Sequence, residues 1–318
     1  MKDVDAVVVG AGVSGLSTAI VLAEAGLAVR VVARELPFET TSGVAAAVWY
    51  PYRAYPVEQV LSWGRRTFTA FDDLVRVDAA GIRMAEVKEL FIQRVPDPLW
   101  STAVPSIRRC SATELPDGYR DGLVFTAPAV EMPIYLGYLI DRLAASGGRL
   151  EQRTVRTLEE VATAARVVIN CTGLGAREVV PDGALVPVRG QVVTVPNPGI
   201  AQVVVADTPE HLTYIVPRSS DVVLGGTAEE GATDLKPDAE TAAAIMRRCA
   251  ELEPRLAGAR VLGHKVGLRP ARPAVRLEAD VLADGTPCVH NYGHGGAGVT
   301  LSWGCAEDAA ALARERAG

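Results

Sequence analysis

The chain has 318 residues, about half of them hydrophobic, with a formal charge of −6 at pH 7. That length allows two domains and a sizeable core, and interspersed arginines and acids leave no electrostatic footprint for nucleic acid. No apolar stretch is long enough to span a bilayer, and five scattered cysteines and four histidines lack metal-site spacing. The expectation is therefore a soluble, cytoplasmic protein with buried free thiols and no metal.

In chain order, the apolar run Ala6-Val7-Val8-Val9 leads into Gly10-Ala11-Gly12-Val13-Ser14-Gly15. Residues 16–25 have helical spacing and stop at Gly26, and a second apolar run, 28–33, ends at Arg34-Glu35. Strand, glycine turn, helix and strand make a dinucleotide-binding unit. In it Gly10 permits the turn, Gly12 lets backbone approach a pyrophosphate, and Gly15 lets helix pack on strand. Glu35 falls where an acid holds a ribose hydroxyl. A strand beginning near residue 5 leaves no room for a signal peptide, and the last residues lack a peroxisomal tripeptide.

Next comes the small-residue stretch from Thr40-Thr41-Ser42 to Trp49-Tyr50-Pro51-Tyr52. Residues 57–75 read as a helix burying Val57, Val60, Leu61, Trp63 and Phe68, and 86–127 as short strands outside a doubly wound sheet. A second amphipathic helix covers 131–145 and stops at Gly147-Gly148. Residues 166–170 form a buried strand that runs into Cys171-Thr172-Gly173 and fits late in the nucleotide sheet. Alternating runs at 185–195, 203–205, 214–216, 222–226 and 261–268, interrupted by a helix at 239–252, indicate a mostly antiparallel sheet.

The segment 289–306 returns to the first pattern. A strand-like start meets Gly293-His294-Gly295-Gly296-Ala297-Gly298, and a helix follows through Val299 and Thr300. Such a loop presses backbone against a flat ligand and aims a helix dipole at it. The expected class is α/β: a Rossmann-like nucleotide-binding domain (1–50, 130–185 and 269–318) with a mostly antiparallel α+β substrate domain (51–129 and 186–268). A ligand between the two is the natural expectation.

Together with Arg189-Gly190-Gln191, Thr213-Tyr214-Ile215, Leu224-Gly225-Gly226 and Gly267-Leu268-Arg269-Pro270-Ala271-Arg272-Pro273, these motifs resemble the D-amino-acid oxidase family, which includes D-aspartate oxidases. The resemblance spans almost the whole chain and implies FAD. Its phosphate and ribose contacts map onto Ala11, Val13, Ser14, Arg34 and Glu35, and its small-residue loop onto Thr40, Thr41, Ser42, Ala46 and Val48. Val155 and Thr172 fall near the adenine side, and Gly295, Gly296, Gly298, Val299 and Thr300 beside the flavin, which Arg269 also borders.

The same resemblance gives Arg269 the substrate carboxylate, Tyr214 a second bond to it, the Gly296 carbonyl the amine, and Tyr52 a wall of the pocket. It implies direct hydride transfer from Cα to flavin N5 without a general base, dioxygen reduced to peroxide, and an imino acid that hydrolyses to a 2-oxo acid and ammonia. His290 and His294 read as loop-stabilising groups, and Arg272 and Arg276 as structural. The stretch before Tyr214 is shorter than the lid of mammalian members. Ala228, Glu229 and Glu230 follow Gly226-Thr227 where D-aspartate oxidases place an arginine, so neutral or basic D-amino acids are favoured. The alternatives are a glycine or sarcosine oxidase, a D-aspartate oxidase, a nicotinamide-dependent dehydrogenase and a catalytically silent flavin-binding protein. A homodimer is a further expectation.

Overall fold

A computed structural model describes residues 3–51 and 54–317. It begins with β1 (Val4–Val9), α1 (Val13–Glu24), β2 (Val29–Ala33), α2 (Thr41–Val44), α3 (Val57–Leu74), β3 (Ile82–Phe91), β4 (Ile107–Arg109) and β5 (Asp121–Val130). The middle holds α4 (Met132–Ala145), β6 (Arg149–Gln152), α5 (Glu159–Ala162), β7 (Ala165–Asn170) and α6 (Ala176–Val179). Then follow β8 (Val186–Pro196), β9 (Val203–Asp207), β10 (Leu212–Pro217), β11 (Asp221–Gly225), β12 (Glu229–Glu230) and α7 (Ala239–Leu252). The chain ends with β13 (Gly263–Ala271), β14 (Arg276–Val281), β15 (Pro287–Tyr292) and α8 (Gly298–Ala317).

These strands form two sheets. The first runs β14-β15-β7-β1-β2-β6 and is parallel except for the β14 edge. β1 lies near its centre with Ala6, Val7, Val8 and Val9 all buried. An unbroken apolar run is what a parallel strand covered on both faces requires. Gly10 has φ +111°, and a Cβ there would lie 2.4 Å from the Cys171 carbonyl oxygen. Only glycine lets this turn close against the end of β7. Gly15 is tighter still, since a Cβ would stand 2.0 Å from the Gly10 carbonyl oxygen.

The second sheet runs β12-β8-β11-β10-β9-β3-β5-β4, with β13 also paired to β8. It is antiparallel except where β3 meets β9. One face packs on α7 through Val193, Ile215, Leu224, Ile245 and Cys249. The other carries Val87, Val192, Val203, Val205 and Val216 in the main core. It is this second face that helps wall the site.

Three sequence expectations need correction. Val57 is 39% exposed in the first turn of α3, and the helix instead buries Phe71 and Leu74 nearer its end. Val261 and Leu262 are exposed and precede β13, which continues through Arg269 to Ala271. The antiparallel edge β14 was not anticipated; its exposed, charged composition gives no apolar alternation. All five cysteines are free thiols, four of them buried. No helix of the described residues is long and apolar enough to cross a membrane, and among those residues no group of three His, Cys, Asp or Glu could hold a metal.

Candidate active site

At one end of the site, α1 begins after its N-cap Gly12, which brings no capping side chain of its own. A helix start offers its free N–H groups and a positive dipole end to an anion. The Val13 N–H donates to Ser42 Oγ at 3.0 Å, which ties the 40–44 segment to this turn. Thr172 is held from below: Asn170 Oδ1 accepts its N–H at 3.2 Å and its hydroxyl at 2.7 Å. Arg34 donates to Glu35 at 2.6 Å and reaches Glu178 at 3.4 Å.

At the other end, Arg269 leaves β13 toward the cavity and donates through Nη1 to the Thr227 carbonyl at 2.9 Å. Its seat depends on Gly190 in the adjacent β8, where a Cβ would lie 2.5 Å from Nη1. Gly190→Ala should therefore move the guanidinium and lower kcat/KM on the substrate by about 10²-fold. Steady-state kinetics on cofactor-replete protein check this, and unchanged kcat/KM contradicts it.

Tyr214 on β10 is seated in the same way. It pairs with Gly225 across β10 and β11, and a Cβ there would lie 2.0 Å from the Tyr214 ring carbon Cζ. Burial pushes the Tyr214 hydroxyl above its usual pKa, while the neighbouring Arg269 charge and hydrogen bond pull the other way. The two side chains thus meet, and the phenol stays protonated as a donor.

The glycine loop joins this end directly. The Gly295 N–H donates to the Pro270 carbonyl at 2.9 Å, next to Arg269, and Thr41 Oγ1 donates to the Leu268 carbonyl at 3.0 Å. A polar chain links the loop to the first glycine turn. His294 Nε2 pairs with Asn291 Oδ1 at 3.0 Å, Asn291 Nδ2 donates to Thr18 Oγ1 at 3.1 Å, and Thr18 donates to the Ser14 carbonyl at 2.7 Å. Thr300 Oγ1 accepts the Tyr50 N–H at 3.1 Å and donates to the Tyr50 carbonyl at 2.9 Å, fixing that residue at the start of α8. His290 contacts Asn170 and Asp280, Arg272 pairs with Asp182, and Arg276 pairs with Glu278, so all three are occupied structurally.

Burial lowers the His294 pKa to about 4. Its folded value is thus below the unfolded value of about 6.5. The folded state holds this imidazole neutral, so its contribution is intact above about pH 6.5 and is lost as pH falls toward 4. That loss amounts to about 3 kcal/mol. His294→Gln should flatten the fall in melting temperature between pH 6.5 and 4; an unchanged slope contradicts the assignment.

One cavity of about 480 Å³ connects the two ends. It is lined by Gly10 through Ser14, Arg34, Glu35, Thr40, Thr41, Ser42, Ala46, Val48, Val155 and Thr172. Tyr214, Arg269, Gly295, Gly296, Gly298, Val299 and Thr300 line it too. Of the residues picked from sequence, Gly15 does not line it and acts by helix packing, and Tyr52 lies outside the described residues. The wall also includes Tyr50, Gly190, Val205, Asp207 and Leu212, which sequence reading missed. The alternation of Leu212, Tyr214 and Val216 was the available signal for one of them.

The expected like charge at Glu229 and Glu230 is displaced. Both are exposed on β12 outside the cavity wall, and Glu229 pairs with Arg189 at 3.1 Å. The segment before Tyr214 is a tight turn in which the His211 N–H donates to Thr208 Oγ1 at 3.1 Å and the Thr208 N–H to the His211 carbonyl at 2.9 Å.

The cleft fits an extended adenine dinucleotide. The open helix start and the side chain-free approach at Gly12 suit a pyrophosphate, and the loop around Gly296 presents backbone rather than side chains to a flat ring. Comparison with known proteins agrees. Residues 5–312 match a family described as FAD dependent oxidoreductase. The chain is 60% identical over 310 residues to a D-amino-acid oxidase of Rubrobacter xylanophilus, covering 97% of this chain and 95% of that one. It is 50% identical over 318 residues to a D-amino-acid oxidase of Streptomyces coelicolor, covering 98% and 97%. Among solved structures, glycine oxidase from Bacillus cereus superposes with a TM-score of 0.81 at 18% identity, covering 98% and 95%. That last likeness concerns the fold alone.

Proposed function

The chain belongs to the family of FAD dependent oxidoreductases, and from that premise we propose that it oxidises D-amino acids to imino acids, with dioxygen as the electron acceptor. FAD, when bound, supplies the acceptor for the hydride that leaves Cα and passes the electrons to dioxygen, giving hydrogen peroxide. The imino acid then takes up water and releases ammonia and a 2-oxo acid. We assign FAD to residues 1–50, 130–185 and 269–318, and the substrate to 51–129 and 186–268.

The observation that carries this reading is the meeting of Arg269 and Tyr214 on the wall that Gly295 and Gly296 also line. A guanidinium fork binds a carboxylate through two parallel charge-assisted bonds, which fixes direction as well as position. The Tyr214 hydroxyl donates a third bond. The Gly296 carbonyl takes the neutral amine, so that three attachments leave one enantiomer with its Cα–H toward the ring. The protein contributes orientation and electrostatics, and no side chain in this set has to remove a proton from carbon. The tight 208–211 turn leaves the substrate end without a long cover.

The test is anaerobic mixing of the holoprotein with a panel of D- and L-amino acids and N-methylglycine, following the flavin absorbance. Bleaching by D-alanine, D-methionine or D-valine and not by their enantiomers is expected. Faster bleaching by N-methylglycine supports a sarcosine oxidase, and no bleaching by any compound supports a silent flavin-binding protein.

A further inference from the structure

The motif Arg189-Gly190-Gln191 gives its glycine to the cavity, while the two flanking side chains face away from it. Gly190 and Val192 line the cavity and Arg189 and Gln191 do not, as the alternation of a strand requires. Both are nonetheless buried, Arg189 at 5% exposure and Gln191 at 0%. Buried polar groups cost stability unless they are bonded, and these two find their partners on the connection from β11 to α7. Arg189 donates to the Asp234 and Lys236 carbonyls, both at 2.7 Å, and to the Glu229 carboxylate at 3.1 Å. Gln191 donates through Nε2 to the Asp238 carbonyl at 2.7 Å and accepts the Asp238 N–H at 2.8 Å.

The same connection begins with an irregularity. β11 pairs with β8 as far as Gly225 beside Val192, and β12 resumes with Glu229 beside Arg189. Three residues, 226–228, thus stand opposite two, 190 and 191, which is the count of a β-bulge. Here the Gln191 N–H donates to Thr227 Oγ1 at 3.0 Å rather than to a strand carbonyl. The Thr227 carbonyl is left to turn to Arg269 Nη1, at 2.9 Å. From α7, Arg248 donates to the Gly226 carbonyl at 3.1 Å and holds the turn from its other side. A neutral carbonyl orients the guanidinium without cancelling its charge, and it takes only one of five N–H donors.

Resting on the oxidase reading above, we propose that Thr227 is a positioning residue for the anchor of the substrate carboxylate, held in place by Arg189 and Gln191 from behind the sheet. The Thr227 hydroxyl stands in for a ladder carbonyl, so that its own carbonyl is free to aim the Arg269 fork into the cavity. Thr227 does not itself line that cavity and acts through Arg269. Loss of the hydroxyl leaves the Gln191 N–H without its acceptor and removes the pin that keeps the carbonyl on Arg269.

The test is a double-mutant cycle, read as the second-order rate of flavin bleaching by D-methionine under nitrogen. It uses the holoprotein as wild type, Thr227→Val, Arg269→Leu and the double variant. Thr227→Val keeps the shape of the side chain without the hydroxyl and should slow bleaching by about tenfold. In the Arg269→Leu background the same substitution should cost less than about twofold, because the group it positions is gone. Thr227→Ser restores the hydroxyl and should recover most of the loss. An unchanged rate in Thr227→Val overturns the proposal. An equal loss in both backgrounds overturns it too, since a purely structural role would give that result. Should Thr227→Val not fold, Arg189→Lys takes its place in the cycle with the same outcomes. A wild type that D-methionine bleaches leaves the oxidase reading standing whichever way the cycle falls, while one that it does not bleach removes that reading itself.

Discussion

Arg269→Leu is expected to lose about 10²–10³-fold in kcat/KM while keeping its flavin. The substitution would leave a substrate carboxylate in the cavity without its cation. Removing one partner of a desolvated charge pair costs about 3–5 kcal/mol, and each 1.4 kcal/mol is tenfold. The flavin should remain because the pyrophosphate end of the cleft, from Gly10 to Ser42, is built from other elements. The seat at Gly190 would be left with room to spare, so the fold should tolerate leucine. A loss under about tenfold in steady-state assays would remove Arg269 from the anchoring role.

Gly15→Ala is expected to have the second large effect, on cofactor retention rather than on turnover. The added Cβ would stand 2.0 Å from the Gly10 carbonyl oxygen, and backbone cannot move aside as a flexible side chain can. The start of α1 must then separate from β1, which distorts the turn that approaches the pyrophosphate. Overpacking of this kind costs about 3 kcal/mol or more. Expressed as affinity, that is about two orders of magnitude. The ratio of flavin to protein absorbance after dialysis measures it, and full occupancy in the variant contradicts the account. Gly137→Ala in α4 is the matching control, because nothing lies within 4 Å of its added Cβ. It should keep the flavin and gain about 0.5 kcal/mol.

The nucleotide half of the fold was legible because its signals are local. The apolar run from Ala6 to Val9, the glycine turn and the helix period all lie within about thirty residues, and β7 and β15 repeat the apolar-strand pattern. The 293–298 loop was legible from its glycines alone, but Arg269 and Tyr214 were legible only through resemblance, since a strand arginine or tyrosine carries no period of its own. What escaped was long-range. Gly190 makes room for Arg269, far along the chain, and Tyr50 meets Glu89 across 39 positions. Neither pairing leaves a mark in either segment alone. The acidic pair at 229–230 misled for the same reason: its sequence position next to Gly226 suggested the cavity, while the β8–β12 register turned Glu229 toward Arg189.

The most direct measurement of the whole account is a crystal structure of the FAD-bound protein with an unreactive carboxylate soaked into the cleft. The carboxylate should sit on the Arg269 fork within hydrogen-bond distance of the Tyr214 hydroxyl, on the same side of the isoalloxazine as the Gly296 backbone. A carboxylate bound elsewhere, or a ring lying away from the 295–298 loop, would contradict it.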